Sequence, residues 1–279
     1  MAKLQLEFLE IMLLNPCNLS CKGCTTFSDL KWQGVNDWKQ NKVWLESWAE
    51  RLEIQAVGVM GGEPLMHPHL KDWLLGIRQA LPNSQIRFVT NGLLLDKHQW
   101  IVPFLHEIGN CVFKISYHLQ DDNLDAIIEN IFEQYEWNPV TEFGINRWKT
   151  NNEFRFQIAR PNKFYKTFQN DYADMKPHSN RAVDAFDLCV QKRCPLLLDG
   201  KLFKCGTAGL NAKVLQRHNW PNYELWKPYL NTGLDLDCSE EELQKFIRNF
   251  GKPHAMCKQC PTTKDVSSII DHVSTVERK

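Results

Sequence analysis

The stretch Cys17-Asn18-Leu19-Ser20-Cys21-Lys22-Gly23-Cys24 sets three thiols within eight residues. It follows an apolar run, Phe8 to Leu14, that reads as a buried strand. Three soft ligands on so short a loop grip one face of a metal centre and leave a coordination position open. Metal catalysis requires that open position, whereas a closed structural site takes a fourth protein ligand. Zinc ribbons usually pair Cys-x2-Cys knuckles instead.

Downstream of the loop, strand-like and helix-like segments alternate. Trp44, Trp48 and Leu52 recur at helical spacing and predict an amphipathic helix from Asp37 to Leu52. Ile54 to Met60 predicts a buried strand running into Gly61-Gly62-Glu63-Pro64. Leu70, Trp73, Leu74, Ile77 and Leu81 mark the next helix, ended by Pro82-Asn83. Gln85 to Val89 predicts a strand leading into Thr90-Asn91-Gly92. A helix over Asp96 to Ile108 contains Pro103, which predicts a kink or a break. Cys111 to Tyr117 is a fourth strand, and Leu124, Ile127, Ile128, Ile131 and Tyr135 give a fourth helix stripe. Beyond Asn138 the pattern loosens, with Phe143 to Arg147 and Phe154 to Ile158 alternating as strands do.

Repeated strand-helix units predict an α/β fold with a parallel sheet, closed or partly closed into a barrel. The thiols, Gly61-Gly62-Glu63, Asn91 and Ser116-Tyr117-His118 each fall at the C-terminal end of a successive predicted strand. Parallel barrels build their active sites on that face. From Asn162 to Asp187 the composition turns to Asn, Lys, Asp and aromatics, predicting an irregular connection to a second unit. There Asp199-Gly200 predicts a two-residue hairpin turn that would set Cys194 across from Cys205. Ser239 and Glu242 form a capping-box pattern, the stripe Leu243, Phe246, Ile247 and Phe250 follows, and Gly251 fits the C-terminal cap. Cys257-Lys258-Gln259-Cys260 comes next, then a polar tail expected to fray.

The 33 basic and 33 acidic residues cancel, so no whole-molecule field draws the chain to nucleic acid or to an anionic membrane. No apolar run approaches the roughly 20 residues of a membrane-spanning helix. Glu7 and Glu10 interrupt the N-terminal segment and no small-residue cleavage site follows, so it is not read as a signal peptide. A cytoplasmic protein with neither nucleic acid nor membrane as partner is expected. A chain of 279 residues has no need of disulfide staples, and its ten cysteines cluster as metal ligands do.

The Cys-x3-Cys-x2-Cys spacing of Cys17, Cys21 and Cys24 resembles the signature of the radical S-adenosylmethionine (SAM) superfamily. Gly23 departs from it, standing where the family usually has an aromatic residue. The resemblance implies that the three thiolates hold a 4Fe-4S cluster whose remaining iron takes the amino and carboxylate groups of SAM. Gly61-Gly62-Glu63-Pro64 resembles the Gly-Gly-Glu motif that contacts the methionine amine of SAM. In physical terms, a glycine pair lets backbone approach a ligand closely and Glu63 accepts hydrogen bonds from an ammonium group; the alternative is a plain turn. His67-Pro68 is a familiar continuation in the family, so His67 and His69 are expected as loop and helix-start residues. Asn91 and Ser116 sit where the family places polar contacts to the ribose or carboxylate of SAM, although strand-end Asn and Ser also serve turns. Tyr117 and His118 either face the substrate or finish the strand.

Cys189, Cys194, Cys205, Cys257 and Cys260 gather in the second unit. With Cys-x10-Gly-x4-Cys present as Cys189, Gly200 and Cys205, the set resembles the twitch or SPASM-type module that follows the barrel in many radical SAM enzymes. Too few cysteines remain for the two-cluster version, so the resemblance implies one auxiliary 4Fe-4S cluster, one of the five thiols being surplus. A structural zinc is the alternative. Cys111 reads as a buried free thiol, and Cys238 has no partner at ligand spacing. The implied fold is a partial (β/α)6 TIM-like barrel over 1–165, followed by a β-hairpin plus helix iron-sulfur module over 166–279. The implied activity is reductive cleavage of SAM to a 5′-deoxyadenosyl radical that abstracts hydrogen from a peptide, protein or carbohydrate-type substrate. That makes an oxidoreductase or maturase, served by a reductant such as flavodoxin or ferredoxin, with the auxiliary cluster transferring electrons. Because the first strand begins within a few residues of Met1, no fused leader-peptide-binding domain is expected. The rival is a non-catalytic iron-sulfur or zinc protein acting as electron carrier or scaffold.

Overall fold

The computed structural model describes residues 3–142, 145–271 and 274–276. In chain order its strands are β1 (Leu4–Leu6), β2 (Leu9–Met12), β3 (Leu19–Cys21), β4 (Leu52–Ile54), β5 (Ala56–Met60), β6 (Gln85–Thr90), β7 (Cys111–Ser116), β8 (Asn138–Glu142), β9 (Ile145–Lys149), β10 (Arg155–Ala159), β11 (Lys163–Tyr165), β12 (Leu196–Leu198), β13 (Lys201–Phe203), β14 (Ile269–Asp271) and β15 (Ser274–Val276). The helices are α1 (Trp38–Arg51), α2 (Leu70–Ala80), α3 (Ile101–Ile108), α4 (Asp122–Gln134), α5 (Ala182–Leu188), α6 (Gly206–Arg217), α7 (Tyr223–Trp226) and α8 (Glu240–Arg248).

One sheet, ordered β13-β12-β2-β5-β6-β7-β10-β9-β8, organises the molecule. Strands β12, β2, β5, β6, β7 and β10 pair in parallel. Strand β13 and the β8–β9 hairpin extend the sheet antiparallel at its two edges. The two edges do not pair with each other, so the barrel is open. On one face Ile11, Val59, Phe88, Phe113 and Phe156 follow each other in register or nearly so and are buried beneath helix residues such as Trp48, Ile77, Leu105 and Leu124. The rings of Phe88, Phe113 and Phe156 stack across three strands, 6.2 and 5.6 Å between centroids. Side chains alternate along a strand, so the opposite face receives Glu10, Arg87, Lys114 and Gln157.

The expected helix at Asp37 to Leu52 forms as α1, with Asp37 accepting from Gln40 N as its N-cap. Pro103 causes no kink. Helix α3 begins only at Ile101, so the proline occupies the first turn, where backbone N–H groups have no intrahelical acceptor. Strands β9 and β10 form close to the expected segments Phe143 to Arg147 and Phe154 to Ile158, and β8 pairs with β9 as a hairpin partner the sequence did not announce; Phe143 lies outside the described residues. Asp199 and Gly200 both have positive φ, 50° and 81°, as a tight hairpin turn requires. The hairpin is not a detached appendage: Leu196 and Leu197 pair with Glu10 and Ile11. Trp48 Nε1 also donates to Gly200 O at 2.9 Å, tying the turn to α1. The tail does not simply fray, because β14 pairs with β11, and β15 pairs with β3 inside the cysteine loop. No helix among the described residues is long and apolar enough to cross a membrane.

Candidate active site and its thiol groups

Chain segments at the C-terminal ends of β2 and β5 are locked together by backbone. Leu13 N donates to Met60 O at 2.8 Å, Gly62 N to Leu14 O at 2.9 Å and Glu63 N to Pro16 O at 2.9 Å. A Cβ on Gly61 would lie 2.5 Å from Leu14 O, and one on Gly62 only 1.9 Å from Pro16 O. Both distances are shorter than real Cβ contacts allow. The close approach for which the glycine pair makes room is thus to the backbone just before Cys17.

Cys17, Cys21, Cys24, Gly61, Gly62, Glu63, Asn91, Ser116 and His118 line one cavity of about 210 Å³. Burial pushes the Cys17 thiol up to about 12. Leu19 N–H, which donates to its Sγ at 3.4 Å, opposes the shift, while Glu63, Cys24 and Cys21 add to it. Metal ligation here must therefore displace a proton. Cys24 Sγ lies 3.2 Å from Thr26 Oγ1.

Glu63 is 1% exposed and braces the site. Its Oε1 accepts from Leu65 N at 3.0 Å and Thr90 Oγ1 at 2.7 Å, and its Oε2 accepts from Asn91 N at 2.8 Å. Burial raises its pKa and these three donors oppose the rise. A carboxylate oxygen has two acceptor positions, so Oε2 keeps one for a further donor. Asn91 Nδ2 donates to Asn18 Oδ1 at 2.7 Å, tying β6 to the cysteine loop, and Asn91 Oδ1 accepts from Leu93 N at 3.0 Å. Thr90 and Asn18 are supporting residues that the sequence signalled only by standing beside motif residues.

The five cysteines of the second unit act on one another, Cys194 through Cys189 and Cys205. Burial raises Cys260, and Cys205, Cys189 and Cys257 raise it further. Burial likewise pushes Cys205 up to about 11, with Lys204 opposing and Cys189 and Cys257 adding. Cys189 ends α5, Cys205 caps α6, and Cys257 and Cys260 bracket one turn. Cys194 is placed differently: its thiol and the Glu10 carboxyl share a hydrogen bond at the end of β2. Thus the hairpin does bring Cys194 and Cys205 near each other, but Cys194 has a partner of its own. Cys189, Cys205 and Cys260 line a small cavity with Thr25, Tyr165 and Thr167, and Thr25 also lines the cavity of the first three thiols. Among the described residues no three His, Cys, Asp or Glu side chains are arranged to hold a single metal ion.

The remaining candidates have structural partners. His67 is buried, with Nε2 2.8 Å from Asn36 O and Nδ1 accepting from His69 N at 3.0 Å. Cys111 is fully buried against Gly109 O, and Cys238 accepts from Arg51 Nη1 at 3.3 Å. Tyr117 donates to Asp125 Oδ1 at 2.9 Å.

A sequence model of the radical SAM superfamily matches residues 11–138. GTP 3',8-cyclase of Microcystis aeruginosa (strain NIES-843 / IAM M-2473) is 28% identical over 131 residues, 45% of this chain and 39% of that protein. The protein of the same name from Nostoc sp. (strain PCC 7120 / SAG 25.82 / UTEX 2576) is 29% identical over 151 residues, 52% of this chain and 41% of that protein. The chain thus spans about two fifths of the length of these curated relatives. Among solved structures, BtrN in complex with AdoMet and 2-DOIA superposes with a TM-score of 0.51 at 14% identity, covering 94% of this chain and 95% of that one. That likeness is one of fold. Residues 11–138 are thus similar to the radical SAM superfamily, within a fold like that of BtrN.

Proposed function

We propose that the chain is a SAM-cleaving enzyme in which Cys17, Cys21 and Cys24 hold a 4Fe-4S cluster and Gly61, Gly62, Glu63, Asn91 and Ser116 surround the SAM bound to it. The observation that carries this reading is that all eight residues line one cavity at the C-terminal ends of parallel strands. Three thiols on a single loop suit a cluster with one iron left open, and the free acceptor position on Glu63 Oε2 suits the methionine ammonium. A cluster held by Cys17, Cys21 and Cys24 would supply the one-electron reduction of the SAM sulfonium from which hydrogen-abstracting radical chemistry starts. The chain's own part is positional. Glu63 accepts from Asn91 N at the end of β6 and donates its own N–H to Pro16 O just before Cys17, and Asn91 holds Asn18, so the loop, the glycine turn and β6 are fixed together.

Cys189, Cys205, Cys257 and Cys260 are proposed as ligands of one auxiliary 4Fe-4S cluster, with Cys194 as the surplus thiol because Glu10 engages it. On this view 1–165 and 166–279 are two chemical units, with the second transferring electrons. A peptide, protein or carbohydrate-type substrate remains the reading from sequence, and GTP joins it from the relatives' name. Flavodoxin or ferredoxin is the proposed reductant.

Anaerobic reconstitution followed by an assay for 5′-deoxyadenosine under dithionite tests this. Wild type and Cys257→Ala should cleave SAM, and Cys17→Ala, Cys21→Ala or Cys24→Ala should not. A reduced, intact cluster with no cleavage would favour the electron-carrier alternative.

A further inference from the structure

The sheet face opposite the helices carries charge where the interior of a closed barrel carries branched aliphatic side chains. By register, Glu10, Gly58 and Arg87 share one level, and Met12, Met60, Val89 and Lys114 share the next level toward the C-terminal strand ends. Met60 and Val89 line the thiol cavity, as does Ser116, two residues beyond Lys114 on the same face of β7. Lys114 therefore stands at the level of the cavity floor.

Its neighbours are mostly engaged elsewhere. Arg147 Nη1 pairs with Glu142 at 2.7 Å, and Arg155 reaches the same carboxylate at 2.9 Å and Glu153 at 2.8 Å. Arg87 donates to Gln85 Oε1 at 2.9 Å and lies over the Phe8 ring. Lys114 makes no hydrogen bond or ion pair with any described residue, although it is largely shielded from solvent. The Glu10 carboxyl and the Cys194 thiol are its candidate counter-groups, but they share a hydrogen bond with each other. Burial lowers the Lys114 pKa; the cations Arg147 and Arg87 add to that lowering, and Cys194 and Glu10 oppose it. A half-buried ammonium among other cations, with no fixed partner, is costly unless an anion arrives.

We propose that Lys114, flanked by Arg147 and Arg87, is the subsite for an anionic group of the substrate, a phosphate or a carboxylate. This rests on the cavity above it being the SAM site. It deepens that reading by setting anionic substrates above uncharged sugars.

Calorimetric titration of the reconstituted, SAM-loaded chain with inorganic pyrophosphate, and separately with succinate, is the test. At least one should bind, pyrophosphate alone identifying a phosphate subsite and succinate alone a carboxylate one. Lys114→Gln should weaken that binding by about tenfold or more, and Lys114→Arg should restore most of it. Substrate-free 5′-deoxyadenosine formation should be the same in all three proteins. The bound anion should also protect Lys114 of the wild type from acetylation, read by mass spectrometry, which needs no variant. The proposal fails if neither anion binds the wild type, if Lys114→Gln binds as the wild type does, or if acetylation of Lys114 is indifferent to saturating anion. Loss of SAM cleavage in the wild type would instead count against the reading of the cavity and leave the anion titrations interpretable.

Discussion

A methyl group on Gly62 would press on the carbonyl that precedes Cys17, and backbone cannot swing aside as a side chain can. Gly62→Ala should cost about 1–3 kcal/mol or more and lower the iron taken up on reconstitution. Gly109→Ala is the control. It meets nothing within 4 Å, so with φ at 68° it should cost about 1 kcal/mol and leave iron uptake unchanged. Glu10 supplies a pH dependence. Its folded pKa of about 7 lies above the ordinary 4.5, so its contribution is fully present below pH 4.5 and is lost as pH rises through 7. Glu10→Gln should therefore gain on the wild type between pH 5 and pH 8, by on the order of 2 kcal/mol. Thermal midpoints across that range check it; a constant difference would remove Glu10 as the source. The sequence spelled out Cys17, Gly62 and Glu63 because motif spacing survives without coordinates. The pairing of Glu10 with Cys194 was illegible, since it joins residues far apart in sequence through a strand register.

At the scale of elements, the helix stripes of α1, α2 and α4 were legible because one face of each is buried, which imposes a period on the residues. Of the edge hairpin, β9 was read only approximately and β8 not at all, since edge strands largely exposed to solvent carry little apolar alternation. The tail strands β14 and β15 were missed for a related reason: what they supply is backbone hydrogen bonding to β11 and to β3, which any side chains permit. Strand β3 contains Cys21, and β15 covers its edge. Deleting residues 269–279 should therefore cost about 2–4 kcal/mol for the lost ladder bonds and expose one side of the cysteine loop. The reconstituted cluster should bleach several-fold faster in air than in the intact chain. Equal bleaching rates would mean that the loop holds its shape without the tail.

For the whole molecule, strand-helix alternation was enough to read a parallel sheet closed or partly closed into a barrel, but not that the hairpin of the second half extends that same sheet. The hairpin motif at Asp199-Gly200 says how β12 and β13 meet each other and nothing about which third strand β12 pairs with. That partner is β2, and Leu197, Leu202 and Leu243 belong to the same core as Leu9 and Trp48. Residues 1–165 alone would leave β2 as a bare apolar edge, the kind of strand that recruits other chains, and would strip cover from Trp48. The intact chain is therefore expected to unfold in one thermal transition. Residues 1–165 expressed alone should aggregate or bind a hydrophobic dye, with loss of the near-ultraviolet circular dichroism of their buried tryptophans. A monomeric 1–165 that unfolds cooperatively would show that the barrel closes its core without β12, and that the shared sheet is a docking contact between two separately folding parts.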